Sequence, residues 1–231
     1  KDNATMAFIT KYGTYFGQLI QQTGRVHFVA PSASYTVDGI AYTASDDNDG
    51  LSPARAMLTV DAGHNKLPAS VGDVLVLLPG AHSSAATVTC DTAGITITGM
   101  PGSAPMHGSR MPGSSARNRC SVTNTATAGI VFTVSADDVE IAWLDLIPVA
   151  AGGRGVDAAA GADRLYVHDC TFSMIAVAAI STYGVALGTV ATGVNEDVII
   201  RNCYFQSGSS AQSGANGPGV NVLTTAHGFT I

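Results

Sequence analysis

Three segments of the chain read almost alike: "VEIAWLDL" (Val139–Leu146), "LYVHDCTF" (Leu165–Phe172) and "VIIRNCYF" (Val198–Phe205), with "ITITGM" (Ile95–Met100) a shorter version of the same text. Each alternates apolar with other side chains, which is the period of a β-strand. Superposed, they put Val139, Leu165 and Val198 at one inward position and Ile141, Val167 and Ile200 at the next. Leu144, Cys170 and Cys203 resume the apolar pattern, followed by Leu146, Phe172 and Phe205. Between the two halves stands Gly99, Trp143, Asp169 or Asn202. Gly, Asp and Asn take left-handed backbone angles most readily, so one such residue between two short strands makes a sharp bend. Trp143 does not fit that explanation.

A second motif precedes the first: "GIVF" at Gly129, "GVDA" at Gly155, "GVAL" at Gly184 and "GVNV" at Gly219. The interval starts near ~25 residues and lengthens, as in a solenoid whose coils share strands and differ in turns. Three short strands per unit predict a triangular coil. Leucine-rich repeats have a similar length, but the L-x-x-L-x-L-x-x-N pattern is missing. Composition agrees: only 12% of the 231 residues are charged, with abundant small residues, which suits stacked strands better than a helical bundle. The net charge of -6 excludes nucleic acid as a partner, because nothing neutralises a run of phosphates. Arg110, Arg117 and Arg119 form the nearest thing to a basic patch, in a Gly/Ser/Pro-rich loop. No run reaches the roughly 18 apolar residues of a membrane span, and the N-terminus lacks a signal-peptide layout. Cys90, Cys120, Cys170 and Cys203 fit no zinc or CxxC spacing, so buried free thiols in a reducing cytosol are expected. Cys170 and Cys203 occupy equivalent inward positions, where a disulfide is geometrically conceivable.

Upstream, "DDNDGLSPARAMLTV" (Asp46–Val60) poses a choice between a calcium loop and a structural turn. With Gly50 at the sixth loop position, the twelfth is Ala56 where an EF-hand requires Glu. Asp46, Asp47 and Asp49 remain the candidate cation ligands, and no cofactor is implied. The structural alternative makes Asp-Asn-Asp-Gly a turn, Ser52 a helix N-cap and Pro53 the first helical residue. Met57, Val60, His64 and Leu67 then form one apolar stripe. A capping helix over about residues 52–67 is therefore expected to cover the open end of the solenoid. "YTVDGIAY" (Tyr35–Tyr42) predicts a hairpin turning at Asp38-Gly39. Residues 1–30 are predicted as a separate helical anchor, apolar on two faces through Phe8, Tyr12, Tyr15, Phe16 and Leu19. Self-association or docking into an assembly would cover those faces.

The strand motifs, their turn column and the text "NDGLSPARAMLTV…VGDVLVLLPGAH…GITITGMPG" resemble pectate-lyase-like right-handed parallel β-helices, including phage tailspikes and other virion spikes. The fold class implied is all-β: a right-handed single-stranded parallel β-helix over residues 31–231, coils starting near 71, with a capping helix and a short N-terminal helical appendage. The resemblance also implies a homotrimer and a working face on the strand that begins each coil. On that strand the outward residues are expected to be Val131, Asp157, Ala186 and Asn221, with Arg154 beside Asp157. Asp157 and Arg154 are thus the candidate catalytic residues, yet hydrolysis of a glycosidic bond generally needs two carboxyl groups. Trp143, Tyr166 and His168 are the candidate glycan contacts. Asp137, Asp138, Asp163, Glu196 and Asp197 read as solvated turn residues.

The leading expectation is a non-enzymatic virion protein, made in the host cytoplasm: a spike, fibre or capsid-decorating subunit contacting capsid or tail proteins and host polysaccharide. A polysaccharide lyase or hydrolase, and a secreted glycan-binding adhesin, are the alternatives. The last motif stops at Ile231 where a bend should follow, so a partner or further chain is expected to complete the final coil.

Overall fold

The computed structural model describes residues 24–37, 39–67, 72–100, 120–125, 129–149, 152–174, 183–188, 194–207, 220–222 and 225–227. Strand β1 (Val26–Val29) leads into the hairpin β2 (Ser34–Val37) and β3 (Ile40–Thr43), and helix α1 (Val60–Asn65) follows. Coils then succeed one another in three strands each. The first holds β4 (Val74–Leu77), β5 (Gly80–Ser84) and β6 (Val88–Cys90); the second β7 (Thr96–Gly99), β8 (Cys120–Asn124) and β9 (Ile130–Val134). The third holds β10 (Glu140–Ala142), β11 (Asp145–Pro148) and β12 (Arg154–Ala158). The fourth holds β13 (Tyr166–His168), β14 (Thr171–Met174) and β15 (Tyr183–Leu187), with an extra strand β16 (Val194–Glu196). The fifth holds β17 (Ile199–Arg201), β18 (Tyr204–Ser207), β19 (Val220–Val222) and β20 (Thr225–His227).

Strands stack coil on coil in parallel. Sheet I runs β1-β4-β7-β10-β13-β17, sheet II β5-β8-β11-β14-β18 and sheet III β6-β9-β12-β15-β19. Ile141 pairs with Val167 and Val167 with Ile200, as superposition of the three segments requires. The same column continues through Ile97 and Leu75, all essentially sealed from solvent. In sheet II the inward column is His82, Val122, Leu146, Phe172 and Phe205. This is the right-handed parallel β-helix. Its core is a shaft of side chains, one layer per coil.

Two columns of bends turn the coil. Trp143, Asp169 and Asn202 all have φ near the left-handed value, at 59°, 53° and 52°. Trp143 therefore obeys the bend rule in conformation although its side chain disfavours it. Gly99 is the residue that departs: it lies in strand β7, and a Cβ there would come within 2.1 Å of the Trp143 carbonyl oxygen. Glycine is needed at that corner for close approach, not for its angles. The second bend column comprises Gly72, Gly94, Asp138, Arg164 and Asp197, each two residues ahead of a sheet I strand and each with positive φ.

The DDNDG stretch opens the fold. Asp46 accepts hydrogen bonds from the amides of Leu58 (2.9 Å) and Thr59 (2.8 Å) and from the Thr59 hydroxyl (3.1 Å). Asp49 accepts from the Leu51 amide and pairs with Arg55 at 3.0 Å. These carboxylates organise the chain itself. The helix differs from expectation: Pro53–Arg55 is a single 3-10 turn, and Ser52 makes no capping bond. Met57 instead pairs with the free edge of β1 through amide–carbonyl bonds with Phe28 and Ala30. That edge pairing holds Ala56 extended and delays the helix to Val60, where the Thr59 hydroxyl caps it. The apolar stripe survives, since Met57, Val60, His64 and Leu67 are all buried. Replacing Asp46 by Ala removes three bonds at this clasp and is expected to cost about 1–2 kcal/mol. A chemical-denaturation midpoint unchanged from wild type would show that the clasp is idle.

The hairpin forms as expected, with Gly39 at φ 82°. Strand β1 already belongs to sheet I, so among the described residues the winding starts at Val26, ahead of the expected boundary at residue 31. Phe8, Tyr12, Tyr15, Phe16 and Leu19 lie outside the described residues, as do Arg110, Arg117 and Arg119.

Candidate functional site

On sheet III, Val156 pairs with Val185 and Val185 with Val220, as superposition of the motifs predicts. The earliest motif is offset: Val156 pairs with Phe132, not Ile130, and Asp157 with Thr133, not Val131. A slip of two residues preserves inward and outward faces, so alternation alone does not reveal it. The outward column through Asp157 is then Thr89, Thr133, Asp157 and Ala186, with Asn221 next in register. Gly155 lies in continuous register between Arg154 and Val156 on β12. A Cβ at Gly155 would lie 2.4 Å from the Phe172 ring, which explains the glycine of this motif.

Arg154 and Asp157 come together on β12, Nη1 to Oδ2 at 2.7 Å. The Asp157 side chain is 8% exposed and that of Arg154 23%. Asp157 Oδ1 and Arg154 Nε are buried without a hydrogen-bond partner. A buried carboxylate oxygen and a buried guanidinium N–H without partners mark this pair as unusual among the polar groups of the described residues. The sheet III column carries a single carboxylate, so it lacks the two-carboxyl geometry of glycoside hydrolysis.

A second polar group lies on the outer face of sheet I. His168 hydrogen-bonds Glu140 of the preceding coil through Nε2 at 2.7 Å and Asp169 through Nδ1 at 2.8 Å. The other Glu140 oxygen accepts from the Thr96 hydroxyl at 2.9 Å. Tyr166 stacks on the imidazole with centroids 4.2 Å apart. Arg201 lies opposite His168 on the next strand and is exposed. Of the expected glycan contacts the structure brings Tyr166 and His168 together, while Trp143 occupies the corner between sheets I and II, half-buried. Burial lowers the His168 pKa, but the Glu140 and Asp169 hydrogen bonds outweigh it and the net shift is upward. The hydrogen bond from His168 conversely holds Glu140 below its ordinary value, against burial.

The sign of the linkage follows. The raised His168 contributes stability that is full below about 6.5 and lost as pH rises through its folded value. The depressed Glu140 contributes above about 4.5 and loses it as pH falls through its folded value. The pair therefore favours the fold most between those limits. Glu140→Gln is expected to bring the NMR titration of His168 below its wild-type midpoint and to reduce the stability lost between pH 6 and 8. An unmoved His168 midpoint would refute the pairing.

Of the acids expected to be solvated turn residues, Glu196 and Asp197 are exposed, while Asp137, Asp138 and Asp163 make side-chain bonds. Asp137 Oδ1 accepts from the Asp163 amide at 3.1 Å, and Asp163 Oδ1 from the Glu196 amide at 2.8 Å. Arg164 bonds Asp138 at 2.6 Å and Asp137 at 3.2 Å, one coil away. At two successive turns a backbone donor thus finds a carboxylate in the coil below. Sequence alternation carries no signal for this, since the residues sit in turns. No group of three or more His, Cys, Asp or Glu among the described residues is arranged to hold a metal ion.

No family model and no curated protein matches the chain. Among solved structures it is similar to pectin methylesterase PemA from Erwinia chrysanthemi, at 15% identity and a TM-score of 0.48, over 89% of this chain and 65% of that one. It is also similar to a pectin methylesterase in complex with a hexasaccharide, at 14% identity and a TM-score of 0.45, over 75% of this chain and 63% of that one. The chain spans less than two thirds of the length of either. The parallel β-helix rests on this chain's own strand pairing.

Proposed function

We propose that this chain is a β-helical structural subunit of a virion, a spike, fibre or decoration protein that assembles as a homotrimer and faces host glycans. One observation carries it: four carboxylates of the described residues serve as ties between segments. Asp46, Asp73, Asp137 and Asp163 each accept from a main-chain amide of a separate segment or coil. Acids used this way stiffen a shaft and leave little for chemistry in a cleft. Tyr166 and His168, stacked on an outer sheet face beside Arg201, supply a flat surface for sugar rings.

Light scattering tests the assembly and is expected to give three times the 23.4 kDa protomer. Incubation with capsular polysaccharide is expected to yield binding that weakens in Tyr166→Ala, with no new reducing or unsaturated ends. A monomer that degrades polysaccharide overturns the proposal.

The Arg154–Asp157 pair favours a second reading, a carbohydrate-active enzyme of the pectate-lyase-like class. Under it, turnover of a polysaccharide falls at least ~100-fold in Asp157→Asn. Turnover equal in wild type and variant removes this reading.

A further inference from the structure

We propose that Cys170 and Cys203 are a modification site: a low-molecular-weight disulfide converts them to an intramolecular disulfide that staples the fourth coil to the fifth. The placement comes from register. Thr171 pairs with Tyr204, and the Tyr204 amide donates to the Cys170 carbonyl at 2.9 Å, so the two cysteines immediately before them stand one above the other. Parallel neighbours at about 4.8 Å fall within the Cα separation that a disulfide spans. All four cysteines are free. Cys170 is fully enclosed, its thiol directed to the carbonyls of His168 (3.3 Å) and Ile141 (3.7 Å). Cys203 is only half-buried, its thiol near the carbonyls of Arg201 (3.4 Å) and Val167 (3.6 Å).

The two sulfurs have opposite character. The neighbouring Cys170 side chain, outweighing burial, lowers the pKa of Cys203. Burial, aided by the neighbouring Cys203, pushes the Cys170 thiol up. Cys203 is the sulfur a reagent can reach while Cys170 is enclosed, so Cys203 is the attacking thiol and Cys170 the resolving one. The Cys203 thiolate attacks one sulfur of the reagent disulfide, forms a mixed disulfide and expels the first thiolate. Cys170 then gives up its proton, attacks the Cys203 sulfur and expels the second. Two protein thiols are oxidised by two electrons, and one reagent disulfide is reduced to two thiols.

Oxidised glutathione followed by mass spectrometry under denaturing, non-reducing conditions tests this. In the wild type the free-thiol count is expected to fall from four to two, with a loss of about 2 Da and a Cys170–Cys203 cross-link in the peptide map. Cys170→Ser is expected to retain glutathione on Cys203, about 305 Da heavier, because no resolving thiol remains. Cys203→Ser is expected to stay unmodified. The oxidised wild type should melt about 5–10 °C higher than the reduced protein. A stable glutathione adduct on the wild type, a cross-link through Cys90 or Cys120, or four surviving thiols overturns the proposal.

Discussion

Phe172→Ala is expected to lower the unfolding free energy by about 3–5 kcal/mol. Phe172 is fully buried in the sheet II column, between Leu146 on one coil and Phe205 on the next. Its ring stacks on that of Phe205 with centroids 4.8 Å apart and planes 8° from parallel. Across the shaft the ring presses on the backbone of Gly155, which has room only because it lacks a Cβ. Removing the ring thus leaves a void touching three coils, and rigid neighbours held in β-ladders close it poorly. Phe172→Leu keeps most of the volume and is expected to cost under ~1.5 kcal/mol. Guanidinium denaturation compares the two. An alanine variant no weaker than the leucine one would mean that this column is not the core.

Mild acid is expected to destabilise the protein from its N-terminal end, through histidines buried without their charge. His82 takes the first position of the inward sheet II column, beneath Val122. Burial holds its pKa down to about 4 although Nε2 is 2.8 Å from the Leu78 carbonyl oxygen, and Nδ1 has no partner. His64 on α1 and His27 on β1 are likewise buried and lowered by burial first. Asp91 and Asp61 face His64 and only partly oppose this; Asp49 and Asp73 oppose it at His27, where Arg25 adds to it.

A folded pKa below the unfolded value means that the unfolded chain takes the proton first. Stability is then full above about 6.5 and drains as pH falls toward about 4. For His82 alone the loss is roughly 3 kcal/mol. His168 changes the balance in the opposite direction over part of this range. Melting curves at pH 7.5 and 4.5 are expected to differ less in His82→Gln than in wild type. An equal difference in the two proteins would exclude His82 as the cause. Hydrogen exchange at pH 4.5 should open α1 and β1 before the middle coils.

The candidate sites were less legible than the fold. Asp157 is placed by motif position, but its ion pair with Arg154 joins residues three apart on one strand, which alternation does not announce. Tyr166 and His168 were recognisable as outward neighbours on one strand. That His168 would be held between Glu140 and Asp169 required knowing which residue of the previous coil lies beneath it. The Asp137 and Asp163 ties carry no signature in the sequence, because an acid in a turn looks the same whether water or a neighbouring amide satisfies it. Ser52-Pro53 carried a sound local helix signal, yet the edge of β1 took Met57 into a sheet and displaced the helix start by several residues.

Alternation at period two, recurring at a slowly growing interval, by itself determined that short strands would stack into a shaft with Ile141, Val167 and Ile200 in one column. Such a pattern suffices because hydrophobic burial depends on which face a side chain points to, and that is written locally in the chain. Tertiary structure alone decided the two-residue offset at Phe132, the left-handed Trp143, and which carboxylate meets which amide. Those depend on atoms one coil away, brought within bonding distance only once the winding has closed.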